Sequence, residues 1–276
     1  MKESVLTFSC EGESLVGILA EPDGPAADVG VLIIVGGPQY RAGSHRQFTL
    51  LARDLATQGF IALRFDYRSM GDSAGTARDF LDVEADIAAA IEALMAAKPH
   101  LKGVVLQGLC DGASAALMYC EARNDPRVKG LALQNPWFRS PESQAQAVMS
   151  HYYGNRLRSP AFWKKVLSGG VGWAALSGWL GNWKTARRAA TPSADFRDRM
   201  ARAWADPRPV ILQLAGADLT AQEFVLGFGQ KLPAWRERHR LTHHEYPEAD
   251  HTFSRPAALQ RAHDAMLAWL TQEFPR

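Results

Sequence analysis

Cysteine is scarce in this chain. Cys10, Cys110 and Cys120 are spread over 276 residues, and none falls in a CxxC pair. Three scattered thiols do not make a disulfide framework, so a reducing, cytoplasmic setting is expected. Long apolar runs are missing as well. The longest, at about 166–180, is broken by Ser168, Gly169, Gly170, Gly172, Ser177 and Gly178. It stops short of the ~20 residues a spanning helix needs. Met1-Lys2-Glu3-Ser4 contains no apolar h-region, so neither a secretory leader nor an integral membrane segment is expected. Charge of one sign is lacking too. A net charge of +2 leaves no basic footprint for nucleic acid or for an anionic membrane surface. There is no internal repeat and no low-complexity tract. What remains is enough chain for one large core, or one core with a modest insertion.

Apolar patterning orders the rest. Residues 4–8 and 15–20 read as a hairpin around Glu11-Gly12-Glu13. The β-branched run 29–35 suits a strand covered on both faces and stops at Gly36-Gly37-Pro38. A helix is expected at 47–58, a strand at 60–65, a helix at 83–97 and a strand at 104–107. A helix at 113–122 and a strand at 129–134 follow. Alternation then stops from 137 to about 204, a stretch rich in Trp, Gly and Arg. It resumes with a strand at 210–214, a helix at 221–232, a strand at 241–246 and a closing helix at 257–274. This order implies a mostly parallel central sheet flanked by helices. The core is expected over 1–136 and 205–276, with a helical, Trp-rich cap insertion over 137–204. Functional residues belong at the carboxyl ends of the strands.

One such end carries the strongest motif. Val104-Val105-Leu106-Gln107 leads into Gly108-Leu109-Cys110-Asp111-Gly112 and then into Ala113-Ser114-Ala115-Ala116. Strand, sharp turn and small-residue helix form a nucleophile elbow, with sulfur where serine is usual. A free thiol near pKa 8.5 needs a base or a positive field. The N-terminus of the following helix is expected to favour the thiolate. His251, between the last strand and the last helix, is the expected base. Asp218, after the strand 210–214, is the expected orienting acid, weighed against Asp250 and Glu248. The order Cys110…Asp218…His251 is the nucleophile–acid–histidine order of α/β-hydrolases. The oxyanion hole requires two backbone N–H groups. Asp111 is expected to give one. The loop after 29–35 gives the other, from Gly37 first or Gln39 second, because Pro38 has none.

Several rival readings were weighed. Gly71-Asp72-Ser73-Ala74-Gly75 also matches G-x-S-x-G, but five residues separate it from its strand and no helix begins at once. Ser73 is therefore not the expected nucleophile. Cys10 and Cys120 lack any frame and read as inert core thiols. His243, His244 and Glu245 could suggest a metal, yet adjacent strand residues face opposite ways. No metal or organic cofactor is expected. Tyr40, Arg41, His45 and Arg46 either line the substrate pocket or are solvated. Trp137 and Trp163 serve as a substrate roof or as the cap's own core.

The chain resembles an α/β-hydrolase over nearly its whole length. More narrowly, Gly36-Gly37-Pro38-Gln39-Tyr40-Arg41, Gly43-Ser44-His45-Arg46 and Gly108-Leu109-Cys110-Asp111-Gly112 resemble the exosortase A system-associated hydrolase 1 family. Asp66-Tyr67-Arg68-Ser69-Met70-Gly71-Asp72-Ser73 is similar to the D-x-R-G-x-G-x-S loop of α/β-hydrolases, with Ser69 in place of the first glycine. The cysteine is similar to that of dienelactone hydrolases and polyester synthases. The resemblance implies the α/β-hydrolase fold and a role near exopolysaccharide metabolism. The expected function is an acyl hydrolase acting on an ester or thioester through an acyl-enzyme. An acyltransferase using a carrier- or sugar-linked acyl group, and a non-catalytic lipid- or partner-binding scaffold, are the alternatives. The expected partner is a small-molecule or carrier-linked acyl substrate, with a homodimer as one mode of assembly.

Overall fold

Apart from Gly30, valine, isoleucine and leucine fill the strand β3 (Val29–Ile34), and every residue of it is buried. That is what a strand covered by helices on both faces requires. The computed structural model describes residues 1–36, 39–138, 194–238 and 240–275. Strands β1 (Lys2–Cys10) and β2 (Glu13–Glu21) form the opening hairpin. The others are β4 (Ala62–Asp66), β5 (Gly103–Leu109), β6 (Val128–Gln134), β7 (Val210–Ala215) and β8 (Leu241–Tyr246). The eight-stranded sheet runs β1-β2-β4-β3-β5-β6-β7-β8. Only β1 against β2 and β2 against β4 are antiparallel, and β3 to β8 are parallel throughout.

Helices α1 (Gln47–Thr57), α2 (Glu84–Ala97), α3 (Asp111–Arg123), α4 (Ala194–Ala203), α5 (Leu219–Phe228), α6 (Leu232–Arg238) and α7 (Pro256–Glu273) cover the sheet. Successive side chains of β5 divide between two apolar layers. Val104 and Leu106 join the layer under α2, α3 and α4, whereas Val105 and Leu109 join the one under α1 and α7. Burying both faces of a central strand supplies the main stabilisation, at roughly 1.5–3 kcal/mol per large apolar side chain. This is the α/β-hydrolase fold.

The helix expected over 221–232 is two helices. α5 ends at Phe228, a single 3₁₀ turn spans Gly229–Lys231, and α6 restarts at Leu232. Pro233 is the cause. Its ring cannot sit inside a helix, but it fits in the first turn of a new one. Of the segment expected as a cap, residues 139–193 lie outside the described residues. Its described end, α4, packs on α3, with Met200 fully buried and Arg199 paired with Glu84 and Glu121. Among the described residues no helix is long and apolar enough to cross a membrane.

A buried polar thread also crosses the sheet. Gln107 Nε2 donates to Gln134 Oε1, Gln134 Nε2 to Gln213 Oε1, and Gln213 Nε2 to the Tyr246 hydroxyl and the Ala262 carbonyl. Each amide sits near the carboxyl end of its strand.

Candidate active site

The turn from β5 into α3 sets the geometry. Cys110 takes φ 57° and ψ −119°, a left-handed backbone that costs a non-glycine residue on the order of 1–3 kcal/mol. Its carbonyl accepts from the N–H groups of Ala113, Ser114 and Trp137, and its own N–H donates to Gln134. The flanking glycines are sterically required. A Cβ on Gly108 would stand 2.3 Å from the Gly112 carbonyl carbon, and one on Gly112 would stand 2.3 Å from the Ile34 carbonyl oxygen. The backbone of the elbow therefore nests against the end of β3, and the cysteine side chain projects over the carboxyl edge of the sheet.

Cys110, Asp111 and His251 line one cavity of about 290 Å³, together with Gly36, Gln39, Phe48, Leu109, Trp137 and Thr220. His251 comes from the loop between β8 and α7. Its Nδ1 stands 2.9 Å from Asp218 Oδ2. The distance is that of a hydrogen bond, and hydrogen bonding to this carboxylate is the largest influence on the ring's affinity for a proton. Asp218 also caps α5, accepting from the N–H groups of Thr220 at 3.2 Å and Ala221 at 3.1 Å. The two other carboxylates weighed as the acid are engaged elsewhere, Asp250 with Ser254 and Glu248 with Arg261.

The electrostatics act differently on the Cys110 thiol and the His251 imidazole. The Asp218 carboxylate raises the affinity of His251 for a proton above that of an ordinary imidazole. Burial opposes this, while Asp111 and Asp250 add to it. Burial likewise pushes the Cys110 thiol well above its ordinary range. The Asp111 charge pushes it further, and the Asp111 backbone N–H, which faces the sulfur, offsets part of this. Sγ lies 3.5 Å from Asp111 Oδ1 and donates to it. The thiolate expected from the helix N-terminus is thus not favoured here, because burial and a neighbouring carboxylate outweigh the dipole. The same carboxylate reaches Tyr67 at the end of β4, whose phenol is pushed up to about 12, chiefly by burial.

The remaining candidates spread out. Gln39 lines the cavity, and its Oε1 accepts from the Ser44 N–H. Trp137 forms part of the wall and packs edge-on against Phe80, at 5.3 Å between ring centroids. Tyr40 is more than half exposed and is not part of the cavity wall. His45 Nε2 donates to the Thr252 carbonyl at 3.0 Å, so it braces the loop of His251. Arg41 is held by Asp66 and Asp72. Gly37 and Trp163 lie outside the described residues. Among the described residues, no group of three His, Cys, Asp or Glu side chains could hold a metal ion.

Ser73 is taken up by structure. Its hydroxyl donates to the Asp66 carbonyl at 2.6 Å and accepts from the Val16 N–H at 2.9 Å, tying the loop after β4 to β2. Ser73→Ala is expected to cost ~1–3 kcal/mol, by leaving a buried N–H and carbonyl unpaired. Turnover per folded molecule should stay near wild type. A loss of turnover as deep as that of a Cys110 variant, measured on folded protein, would make Ser73 the reactive residue.

Phe48, Thr220 and Asn135 were missed by sequence reasoning. Thr220 is two residues beyond Asp218, and Asn135 directly follows β6 at Asn135-Pro136. The strand-end rule that selected Asp218 and His251 could have flagged both. Phe48 on α1 carries no such signal.

A family described as serine aminopeptidase, S33, matches residues 29–208, well over half of the chain. No curated protein sequence matches it. Among solved structures, an esterase of Pyrococcus furiosus is 14% identical, covers 99% of this chain and 93% of its own, and superposes with a TM-score of 0.65. An α/β serine hydrolase without a lid, from Xanthomonas campestris, is 17% identical over 100% and 97% of the two chains, with a TM-score of 0.62. A lipase in its open form is 17% identical over 100% of both chains, with a TM-score of 0.64. At such identities the likeness is one of fold.

Proposed function

The chain belongs to the serine aminopeptidase S33 family, a family of hydrolases, and on that premise we propose that it is an acyl hydrolase whose nucleophile is Cys110. One observation carries the reading. A cysteine held at φ 57° on a helix N-terminus opens into the same cavity as a histidine whose other nitrogen stands 2.9 Å from a carboxylate.

The proposed chemistry follows from the proton affinities. A thiol held protonated cannot attack as a ready thiolate, so it depends on a base at the moment of attack. Rotation about the Cys110 side chain turns Sγ–H from Asp111 toward His251 Nε2. As the sulfur bonds to the ester or thioester carbonyl carbon, its proton passes to Nε2. Asp218 holds the Nδ1 proton and stabilises the imidazolium. The developing oxyanion is met by the Asp111 N–H, with Gly37 or Gln39 as the second donor. Collapse of the adduct expels the alcohol or thiol, which takes the Nε2 proton and leaves an acyl thioester on Cys110. His251 then removes a proton from water as the water oxygen attacks the thioester carbonyl, and collapse of that adduct breaks the C–S bond, returns the Nε2 proton to the Cys110 sulfur and releases the free acid.

Phe48, Leu109 and Trp137 give the cavity an apolar wall suited to an acyl chain. From Trp137 the chain runs into 139–193, which together with the rest of 137–204 is proposed as the cap. All three cysteines are free thiols, a state that a reducing, cytoplasmic setting maintains. The motifs shared with exosortase A system-associated hydrolases make exopolysaccharide-linked metabolism the proposed context.

The test is a panel of acyl esters and acyl thioesters, followed by mass measurement of the Cys110 peptide. An acyl adduct on that peptide, with release of free acid, is expected. An adduct confined to another residue, or none with any donor, overturns the reading.

A second measurement follows from the imidazole. Because Asp218 raises its proton affinity, the base form is lost as pH falls through a value above the ordinary ~6.5. The acid limb of kcat/KM is therefore expected to lie above pH 6.5, and Asp218→Asn should move it down. An acid limb below pH 6.5 in the unaltered protein would contradict the pairing.

A further inference from the structure

Asn135 directly follows β6, fully buried, with φ 43°. It sits between the two loops that bring His251 and Asp218 together and touches the backbone of both. Its Nδ2 donates to the His251 carbonyl at 2.9 Å. Its Oδ1 accepts from the Ala215 N–H at 2.8 Å. Its own N–H donates to the Gln213 carbonyl at 3.0 Å, which registers it on β7. Ala215 is the last residue of β7, and its carbonyl accepts from the Asp218 N–H at 3.3 Å. A single amide group thus spans from the main chain of the base to the turn that presents the acid.

We propose that Asn135 is a positioning residue, whose side-chain amide sets the separation of the His251 loop and the Asp218 turn. The proposal rests on the Cys110–His251–Asp218 reading and deepens it. Only a side chain carrying a donor and an acceptor on one short stem can satisfy a carbonyl on one side and an N–H on the other. Aspartate keeps the acceptor and loses the donor. Alanine leaves both backbone groups buried and unpaired. His251 Nδ1 stands 2.9 Å from Asp218 Oδ2, so a small displacement of either loop lengthens or breaks that contact. A misplacement of about 1 Å away from the chemistry can cost on the order of 100-fold in rate.

The charged groups acting on the imidazole are Asp218 at the start of α5, Asp111 on α3 and Asp250 in its own loop. His45 braces that loop from the other side through Thr252. Asn135 is uncharged, so its removal reaches the imidazole only through geometry.

The test compares Asn135→Ala, Asn135→Asp and Tyr119→Phe with the unaltered protein, on an activated short-chain ester. Tyr119 is buried on α3 and donates to Asp125, close to the start of β6 and far from the cavity. Its phenylalanine variant serves as a control that loses a buried hydrogen bond only. Asn135→Ala is expected to lower kcat by about 10- to 100-fold with little change in KM. It should also shift the acid limb of kcat/KM to lower pH, as Asp218 loses its grip on the imidazole. Asn135→Asp is expected to lower kcat comparably and shift the limb to higher pH, because it adds a carboxylate. Tyr119→Phe should lower the midpoint of thermal unfolding while leaving kcat and the limb in place.

If Asn135→Ala does not fold, Asn135→Asp and Asn135→Leu carry the same two readouts. Wild-type kcat and an unmoved limb in the folded Asn135 variants overturn the inference. Failure of the underlying reading is a separate outcome, recognised by a Cys110→Ala protein that still turns over.

Discussion

Cys110→Ala is expected to abolish turnover of an activated short-chain ester, with kcat falling by about 10⁴-fold, the scale on which loss of a triad member acts in acyl-transfer enzymes. The residual rate should come from binding and from the N–H groups facing the carbonyl. Cys110→Ser tests the chemistry more finely. An enzyme that stores a thiolate loses its nucleophile when sulfur becomes oxygen. Here the thiol is held protonated by burial and by Asp111, so sulfur and oxygen both wait for His251 to take the proton. The serine variant is therefore expected to retain measurable turnover, well above the alanine variant. Steady-state rates on the same ester, with the folded fraction checked by thermal unfolding, separate the three proteins. Near wild-type turnover in Cys110→Ala removes the nucleophile from the scheme. A serine variant as inactive as the alanine variant would show that a preformed thiolate is required.

The largest effect on stability is expected at the loop after β4. Arg68 is almost wholly buried, and its Nε and Nη2 donate to both oxygens of Asp86, itself inaccessible, at 2.8–3.1 Å. The Arg68 backbone N–H adds a further bond to Asp86 Oδ1 at 2.8 Å, and Nη1 pairs with Glu11. Arg68→Met leaves the Asp86 carboxylate uncompensated in an apolar layer. The expected cost is about 3–5 kcal/mol, because the penalty of an unpaired buried charge is met in full. Removing the pair together, as Arg68→Met with Asp86→Leu, should recover most of that loss. Urea unfolding of the two proteins gives the comparison directly. A single variant costing under about 1 kcal/mol, the value of an exposed pair, would mean that the ion pair does not hold the loop.

The elements could be read from the chain because each strand of the sheet interior is covered on both faces. β3 is Val, Leu and Ile at every position but Gly30, the composition that suits a parallel strand buried on both faces. The elbow was legible for a different reason. Gly108 and Gly112 are dictated by neighbouring backbone that would stand 2.3 Å from any Cβ placed there, so the sequence had to record them. Strand ends moved by at most two residues, as at β5, where pairing with β6 continues through Leu109. The break between α5 and α6 was hidden because the apolar period runs on through Pro233. The proton affinity of Cys110 was hidden more deeply, since the helix start is local while burial depends on residues far apart in the chain. Asn135 was invisible for the same reason. Its two side-chain bonds span 80 and 116 residues.

Asp218 holds down two posts. The oxygen that faces His251, Oδ2, also accepts from the Ala221 N–H, and its twin Oδ1 accepts from Thr220. A descendant of this protein could not relocate its acidic partner to another loop without first uncapping α5, at a cost of roughly 1 kcal/mol before any gain in activity. Helix physics alone thus ties Asp218 to the place where it faces His251.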